Sequence, residues 1–221
     1  MKRLFKKRDF NKNYPAYWLA YERLFSNQEK QHIQDSRFVV LDTETTGFDT
    51  NVDRVLSIGA IEIYNNQIDI ASAFEVYLKQ KHFNSKTVEI HGIIKNERFE
   101  TLDEKEAIEQ FLRYIGNAIL VAHHANFDIT MLNKILERNG LPKLKNKVLD
   151  TVKLYKATRI KSNLIRQGNY SLDEIADTYM LDVSDRHTAA GDAFITAIIF
   201  LKTTSILSNE KKLSLKQLFK L

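Results

Sequence analysis

The sequence predicts an α/β domain, a mixed five-stranded sheet flanked by helices, and three features lead to it. The apolar, β-branched run Phe38-Val39-Val40-Leu41 reads as a buried central strand. Two further strand-like stretches follow across short connections, which implies an antiparallel meander. From residue 104 onward short apolar strands alternate with helical spacing, the pattern of parallel strands added to a sheet.

The elements follow in order. Residues 1–13 carry Lys2, Arg3, Lys6, Lys7, Arg8 and Lys12 against a single acid, Asp9, and read as a mobile basic arm. Pro15 stands where a first helical turn begins, and Tyr14, Tyr17, Trp18, Tyr21 and Phe25 form an aromatic stripe at helical spacing. Packing of that stripe onto the main domain is favoured over a partner-binding or base-stacking role, because large aromatics are mostly buried. Residues 27–36 read as a polar connector. After the strand at residue 38, residues 54–63 and 68–78 form the second and third strands around a turn at Tyr64-Asn65-Asn66-Gln67, where Asn tolerates positive φ.

Residues 104–115 have helical spacing, with Ala107, Ile108, Phe111, Leu112 and Ile115 on one side, and residues 118–122 form a short strand. A helix from Asn126 is stopped by Gly140-Leu141-Pro142. Residues 147–149 form a fifth strand, followed by a helix over 150–157 and a loop over 159–169. Ser171-Leu172-Asp173-Glu174 resembles a capping box opening a helix to about residue 181, and a last helix spans about 188–201. The chain divides into a basic arm with an aromatic helix (1–36), the main domain (37–205) and a Lys-rich tail (206–221).

Composition sets bounds on function. The 221 residues are enough for one well-buried domain with extensions. With no cysteine, disulfides and cysteine-based zinc or nucleophile chemistry are excluded, and a reducing compartment is comfortable. No long apolar segment follows the basic first residues, so the expectation is a soluble cytoplasmic protein with no membrane span. A net charge of +5 and a pI near 9.2 suit an enzyme acting on a polyanion, basic residues gathering phosphates while a few carboxylates hold cations.

The chemistry starts at the end of the first strand. Asp42 and Glu44 are two apart, so both point from one face, their Cα atoms roughly 6.6 Å apart. Like charges that close oppose ionisation unless a cation compensates them, and their place after a core-like strand favours a metal site over an exposed strand end. Asp128 lies in the first turn of its helix, where the dipole alone would favour a carboxylate, yet it directly follows a strand end, where ligands of α/β sheets bind. Asp192 opens the last helix among Ala189, Ala190, Gly191 and Ala193, small residues that let this helix approach the sheet. His187 lies five positions earlier; on one helix the two side chains would diverge by about 500° of turn, so they converge only if His187 belongs to the preceding loop. Beside an acid cluster it can accept a proton near neutral pH.

Asp42-Thr43-Glu44, His123-x4-Asp128 and His187-Thr188-Ala189-Ala190-Gly191-Asp192, in that order, resemble the three motifs of the DEDDh exonucleases, the family of the proofreading ε subunit of bacterial DNA polymerase III. The resemblance covers about residues 37–201. It implies an RNase H-like fold and metal-dependent 3′-to-5′ hydrolysis of DNA, in proofreading or repair, with release of nucleoside 5′-monophosphates. It further implies that Asp42, Glu44, Asp128 and Asp192 hold two Mg²⁺ or Mn²⁺ ions and that His187 is the general base. Thr45 and Thr46 would contact the terminal nucleotide, and Phe127 would wedge it; the alternatives are a turn hydroxyl for Thr45 and a core anchor for Phe127. His91, in His91-Gly92-Ile93, is open between substrate contact and packing. Many members carry Asn after the histidine of the second motif, where this chain has His124. RNA 3′-end trimming, or a polymerase- or nucleic-acid-binding module, are the alternative functions.

Overall fold

A computed structural model describes residues 13–26, 32–80, 100–159, 170–210 and 213–221. Its order is α1 (Ala16–Arg23), β1 (Phe38–Thr45), β2 (Val55–Tyr64), β3 (Gln67–Leu78), β4 (Thr101–Leu102), α2 (Glu104–Ile115), β5 (Ile119–Ala122) and α3 (Asn126–Arg138). There follow β6 (Val148–Asp150), α4 (Thr151–Arg159), α5 (Leu172–Thr178), α6 (Ala189–Glu210) and α7 (Leu215–Leu218). The strands form one sheet in the order β4-β3-β2-β1-β5-β6. β1, β2 and β3 are antiparallel neighbours, whereas β5 is parallel to β1, and β6 to β5. The mixed sheet is therefore as expected, with one correction: β4 makes it six-stranded. Two residues pairing beside Tyr77 and Leu78 are too short to show a period.

Local chemistry explains most boundaries. Asn65 and Asn66 both adopt positive φ in the turn joining β2 to β3, the backbone a two-residue hairpin demands. The Asp103 side chain caps α2 by accepting from the Glu106 N–H, and Ser171 and Glu174 form the expected capping box of α5. The last helix continues to Glu210 rather than ending near residue 201. Thr204 Oγ1 donates to the Phe200 carbonyl within the helix, and Leu207 beyond it is buried.

Two apolar clusters sandwich the sheet. On one face Val39, Leu41, Ile58 and Ala60 meet α2, α3 and the fully buried Trp18 of α1. The aromatic stripe of α1 is thus packed inward, as its spacing favoured, with Trp18 and Tyr21 buried and Tyr21 Oη donating to Asn146 at 2.6 Å. On the other face Phe38, Val40, Ile61 and Ile63 meet Ala197, Phe200 and Leu207 of α6, and Leu218 of α7. α6 is long and apolar enough to cross a membrane by length and composition, but its apolar residues here cover β1, β2 and α4. The basic arm 1–12 and most of the loop 159–169 lie outside the described residues.

Gly59 sets the spacing between α6 and the sheet. It stands opposite Asp42 in the β1–β2 register, and cross-strand partners share a face. A Cβ at this position would lie 2.1 Å from the Ala189 carbonyl carbon, so backbone meets backbone here. Gly59→Ala is expected to cost at least the ~1–3 kcal/mol typical of overpacking, read as a lower urea midpoint; an unchanged midpoint would mean that α6 can move away freely.

Candidate active site

The close approach of α6 brings the acids of β1 and α6 together. Asp42, Glu44 and Asp192 each present a carboxylate oxygen within 4.8 Å of the others. Asp192 is in the first turn of α6, whose start is fixed by Thr188: its Oγ1 accepts from the Gly191 N–H at 3.0 Å, and its carbonyl from the Asp192 N–H at 2.9 Å. Gly191 is required because a Cβ there would lie 2.0 Å from the Asp185 carbonyl oxygen. Asp128 arrives from the opposite layer. Its Oδ1 accepts from the Thr43 N–H at 3.0 Å and from Thr43 Oγ1 at 2.7 Å, which holds this buried carboxylate beside the three-acid group.

This environment favours protons or cations on the cluster. Burial first, then the neighbouring Asp128, Asp192 and Glu44 charges, push Asp42 well above the usual carboxylate range. Burial and Asp192 raise Glu44 to about 7. Burial also raises Asp128 and Asp192, against the hydrogen bonds from Thr43 and Arg186 respectively. Asp192 Oδ1 is buried with no hydrogen-bond partner among the described residues. Crowded carboxylate oxygens, one of them unpartnered, fit a hard divalent cation, which takes oxygen ligands and offsets the repulsion.

The other predicted residues divide. His187 lies in the loop before α6, as convergence required, with its ring exposed and its backbone at φ 67°. Its charge acts on Asp192, but the ring is not one of the clustered ligands. Thr45 and Thr46 are buried, and both hydroxyls shape the turn: Thr45 Oγ1 donates to the Gly47 carbonyl, and Thr46 Oγ1 donates to Asp53 while accepting from the Arg54 N–H. Phe127 packs partly on the core and also meets Phe48, ring centroids 5.9 Å apart. His91 lies outside the described residues. His124 takes positive φ, and its carbonyl accepts from the Phe127 N–H, so it makes the turn into α3.

Phe48, Arg186 and Asp173 escaped the sequence analysis as residues of this region. Phe48 is 83% exposed, and its signal was an aromatic ring directly after Gly47 in a polar turn. Arg186 and Asp173 form an ion pair reaching the cluster; nothing in their spacing, 13 residues apart across a loop, marks it. His123 of the second motif is held by Thr151 at 2.8 Å and the Tyr170 carbonyl at 2.9 Å, and burial lowers it from 6.5 to about 4. Because a carbonyl only accepts, Nε2 carries the proton and Nδ1 accepts from Thr151.

Residues 39–200 match the model of the RNase T exonuclease family, described as Exonuclease. The chain is 32% identical over 205 residues to the PolC-type DNA polymerase III of Thermotoga petrophila, covering 90% of this chain and 13% of that protein. It is 33% identical over 189 residues to the Thermotoga maritima counterpart, again covering 13% of it. The chain therefore spans about one eighth of the length of these relatives. The fold is shared with E. coli exonuclease I, solved in complex with an oligonucleotide, at TM-score 0.66 and 17% identity, covering 80% of this chain and 42% of that one. Cell-death related nuclease 4 superposes at TM-score 0.69 and 14% identity, covering 78% of this chain and 65% of that one. The architecture is RNase H-like.

Raised carboxylates have a consequence for the metal-free protein. A carboxyl such as Glu44, at about 7 when folded against an ordinary 4.5, stabilises the fold fully below 4.5 and loses that contribution as pH rises through 7. His123 acts oppositely, but only below 6.5. In chelator the thermal midpoint is therefore expected to fall between about pH 6.5 and pH 8, and Mn²⁺ to restore it. A midpoint that stays flat in chelator over that range would argue against repulsion in the cluster.

Proposed function

This chain belongs to the RNase T exonuclease family matched over residues 39–200, and from that premise we propose that it removes nucleoside 5′-monophosphates from DNA 3′ ends. The observation that carries the reading is the convergence of Asp42, Glu44 and Asp192, the last of which has one buried oxygen with no hydrogen-bond partner among the described residues. Its relatives' names support DNA over RNA: PolC-type DNA polymerase III, and exonuclease I in complex with a dT13 oligonucleotide.

Asp42, Glu44, Asp128 and Asp192 would hold two Mg²⁺ or Mn²⁺ ions. Once bound, the pair would supply Lewis-acid stabilisation of the attacking and leaving oxygens of the phosphoryl displacement. The residues do the rest. An imidazole nitrogen of His187 takes a proton from the attacking water, whose oxygen bonds to phosphorus as the P–O3′ bond breaks and O3′ takes a proton from solvent water; the products are a 5′-monophosphate and a strand with a free 3′-hydroxyl. The ring exposed at Phe48 and the flanking Phe127 offer stacking faces for the last base, a contact every base can make. Thr45 and Thr46 hold the turn that carries Phe48, and His91 enters as a substrate contact on the sequence resemblance alone. Proofreading or repair in the cytoplasm, alone or with a polymerase, is the setting proposed here, and the PolC-type DNA polymerase III relatives support the polymerase side of it.

The test uses 5′-labelled single-stranded DNA, duplex DNA with a mismatched 3′ end, and single-stranded RNA, each with Mg²⁺ or chelator. A ladder shortening from the 3′ end of DNA, and lost in chelator, is expected; faster shortening of RNA would replace DNA as the substrate. Asp42→Ala or Asp192→Ala should abolish shortening without unfolding the protein, and near-normal rates in either would refute the assignment. His187→Ala should slow turnover by roughly 10²–10⁴-fold.

A further inference from the structure

We propose that Arg186 is a positioning residue for the acid cluster, acting as a clamp that ties Asp192 to the outlying Asp173 and so presents Asp192 Oδ1 to the cation. The proposal rests on the metal-centre reading above and assigns roles to two residues outside its motif acids. Arg186 Nε donates to Asp173 Oδ1 at 2.6 Å and Nη2 to Asp173 Oδ2 at 3.1 Å, while Nη1 donates to Asp192 Oδ2. All three donor nitrogens of the planar fork are used, in a geometry no lysine reproduces. The Arg186 side chain is only 16% exposed although that of its Asp173 partner is 61% exposed, so it is anchored outside and reaches inward.

The division of labour on Asp192 is what points to positioning. One oxygen is committed to Arg186, the other is buried with no hydrogen-bond partner among the described residues, and the carboxylate they share clusters with those of Asp42 and Glu44. A carboxylate held on one oxygen is fixed in rotation, and hydrogen-bonded partners of this kind govern how well a ligand meets its metal. A cation beside a cation site would by itself repel the metal. Asp173 removes that objection, because its bidentate pairing leaves the Arg186–Asp173 unit close to neutral. The same contact restrains the backbone next to His187, which sits at φ 67° between Arg186 and the capping Thr188.

Orientation of Asp192 by Arg186 would strengthen metal binding, whereas an uncompensated Arg186 charge would weaken it, and binding of Mn²⁺ alone tells the two apart. Mn²⁺ would be titrated into wild type, Arg186→Gln, Arg186→Lys, Asp173→Asn and the Arg186→Gln/Asp173→Asn double variant, with free Mn²⁺ read by electron paramagnetic resonance. Arg186→Gln is expected to weaken Mn²⁺ binding roughly 10–100-fold, and Arg186→Lys to remain impaired because it keeps the charge without the fork. Asp173→Asn should also weaken binding, and the double variant should be no worse than Arg186→Gln, since Asp173 acts only through Arg186. Wild-type or tighter binding by Arg186→Gln would overturn the clamp, as would additive losses in the double variant. Thermal midpoints in chelator identify any variant that has unfolded, and Asp173→Asn, at an exposed site, then carries the test. If wild type itself binds no Mn²⁺, the metal-centre reading fails and the clamp with it; if wild type binds and the variants match it, only the clamp fails.

Discussion

The acid cluster depends on how closely α6 can approach the sheet. At Gly59 the backbone of α6 meets the backbone of β2, with no room for a Cβ between them. Asp42 is the register partner of Gly59, and Asp192 lies one turn into α6, so this contact fixes the separation of the two carboxylates. The fourth acid reaches the same strand end from the other layer, where α3 delivers Asp128 to Thr43. One strand end thus gathers carboxylates from both faces of the sheet. The alternation of side chains in β1 makes this possible, sending Asp42 and Glu44 to the α6 face and Thr43 to the α3 face.

Electrostatics explains why such an arrangement calls for a divalent cation. Two unit charges about 4–5 Å apart repel by roughly 3–4 kcal/mol at an effective dielectric near 20, and full ionisation of Asp42, Glu44 and Asp192, whose oxygens lie within 4.8 Å of one another, would meet repulsion of that order. Arg186 offsets part of this, but its charge is shared with Asp173, and pairs with an exposed partner contribute about 0–1 kcal/mol. Burial first, and then the remaining repulsion, leave carboxyl groups that hold protons above their usual range. A divalent cation bound there would replace those protons, and the fold has already brought its ligands together. Rigid backbone contacts at Gly59 and Gly191 keep the acids from relaxing apart.

Much of this was legible in the sequence because it obeys local rules. The period-two pattern of β1 put Asp42 and Glu44 on one face, Asn65-Asn66 announced its hairpin, and the small residues around Asp192 foretold the close helix. What was not legible depends on tertiary contact. β4 exists only because Tyr77 and Leu78 offer an edge to two residues. The last helix, expected to end near residue 201, runs on to Glu210, and only the buried Leu207 shows why it continues. Arg186 and Asp173 meet across a loop, and no periodicity links them. Thr45 and Thr46 sit where the motif put them, yet their hydroxyls serve the turn.

Aromatic residues show how burial decides the role of one residue class. Trp18 and Tyr21 recur at helical spacing, and the structure seals them against α2 and the sheet, where they contribute area and one hydrogen bond to Asn146. Phe48 belongs to no period. It follows a glycine in a turn braced by Asp53, which accepts from Thr46 Oγ1 and from the Asp49 N–H, so the loop is ordered by polar contacts and needs no apolar anchor. Its ring nevertheless stands almost fully in solvent, touching Phe127 at the entrance to α3, one residue before Asp128. An exposed ring on a braced loop leaves its face free for a planar partner. The same contact couples the loop after β1 to the helix that carries Asp128, so a base seated there would lie between the two segments that supply Glu44 and Asp128.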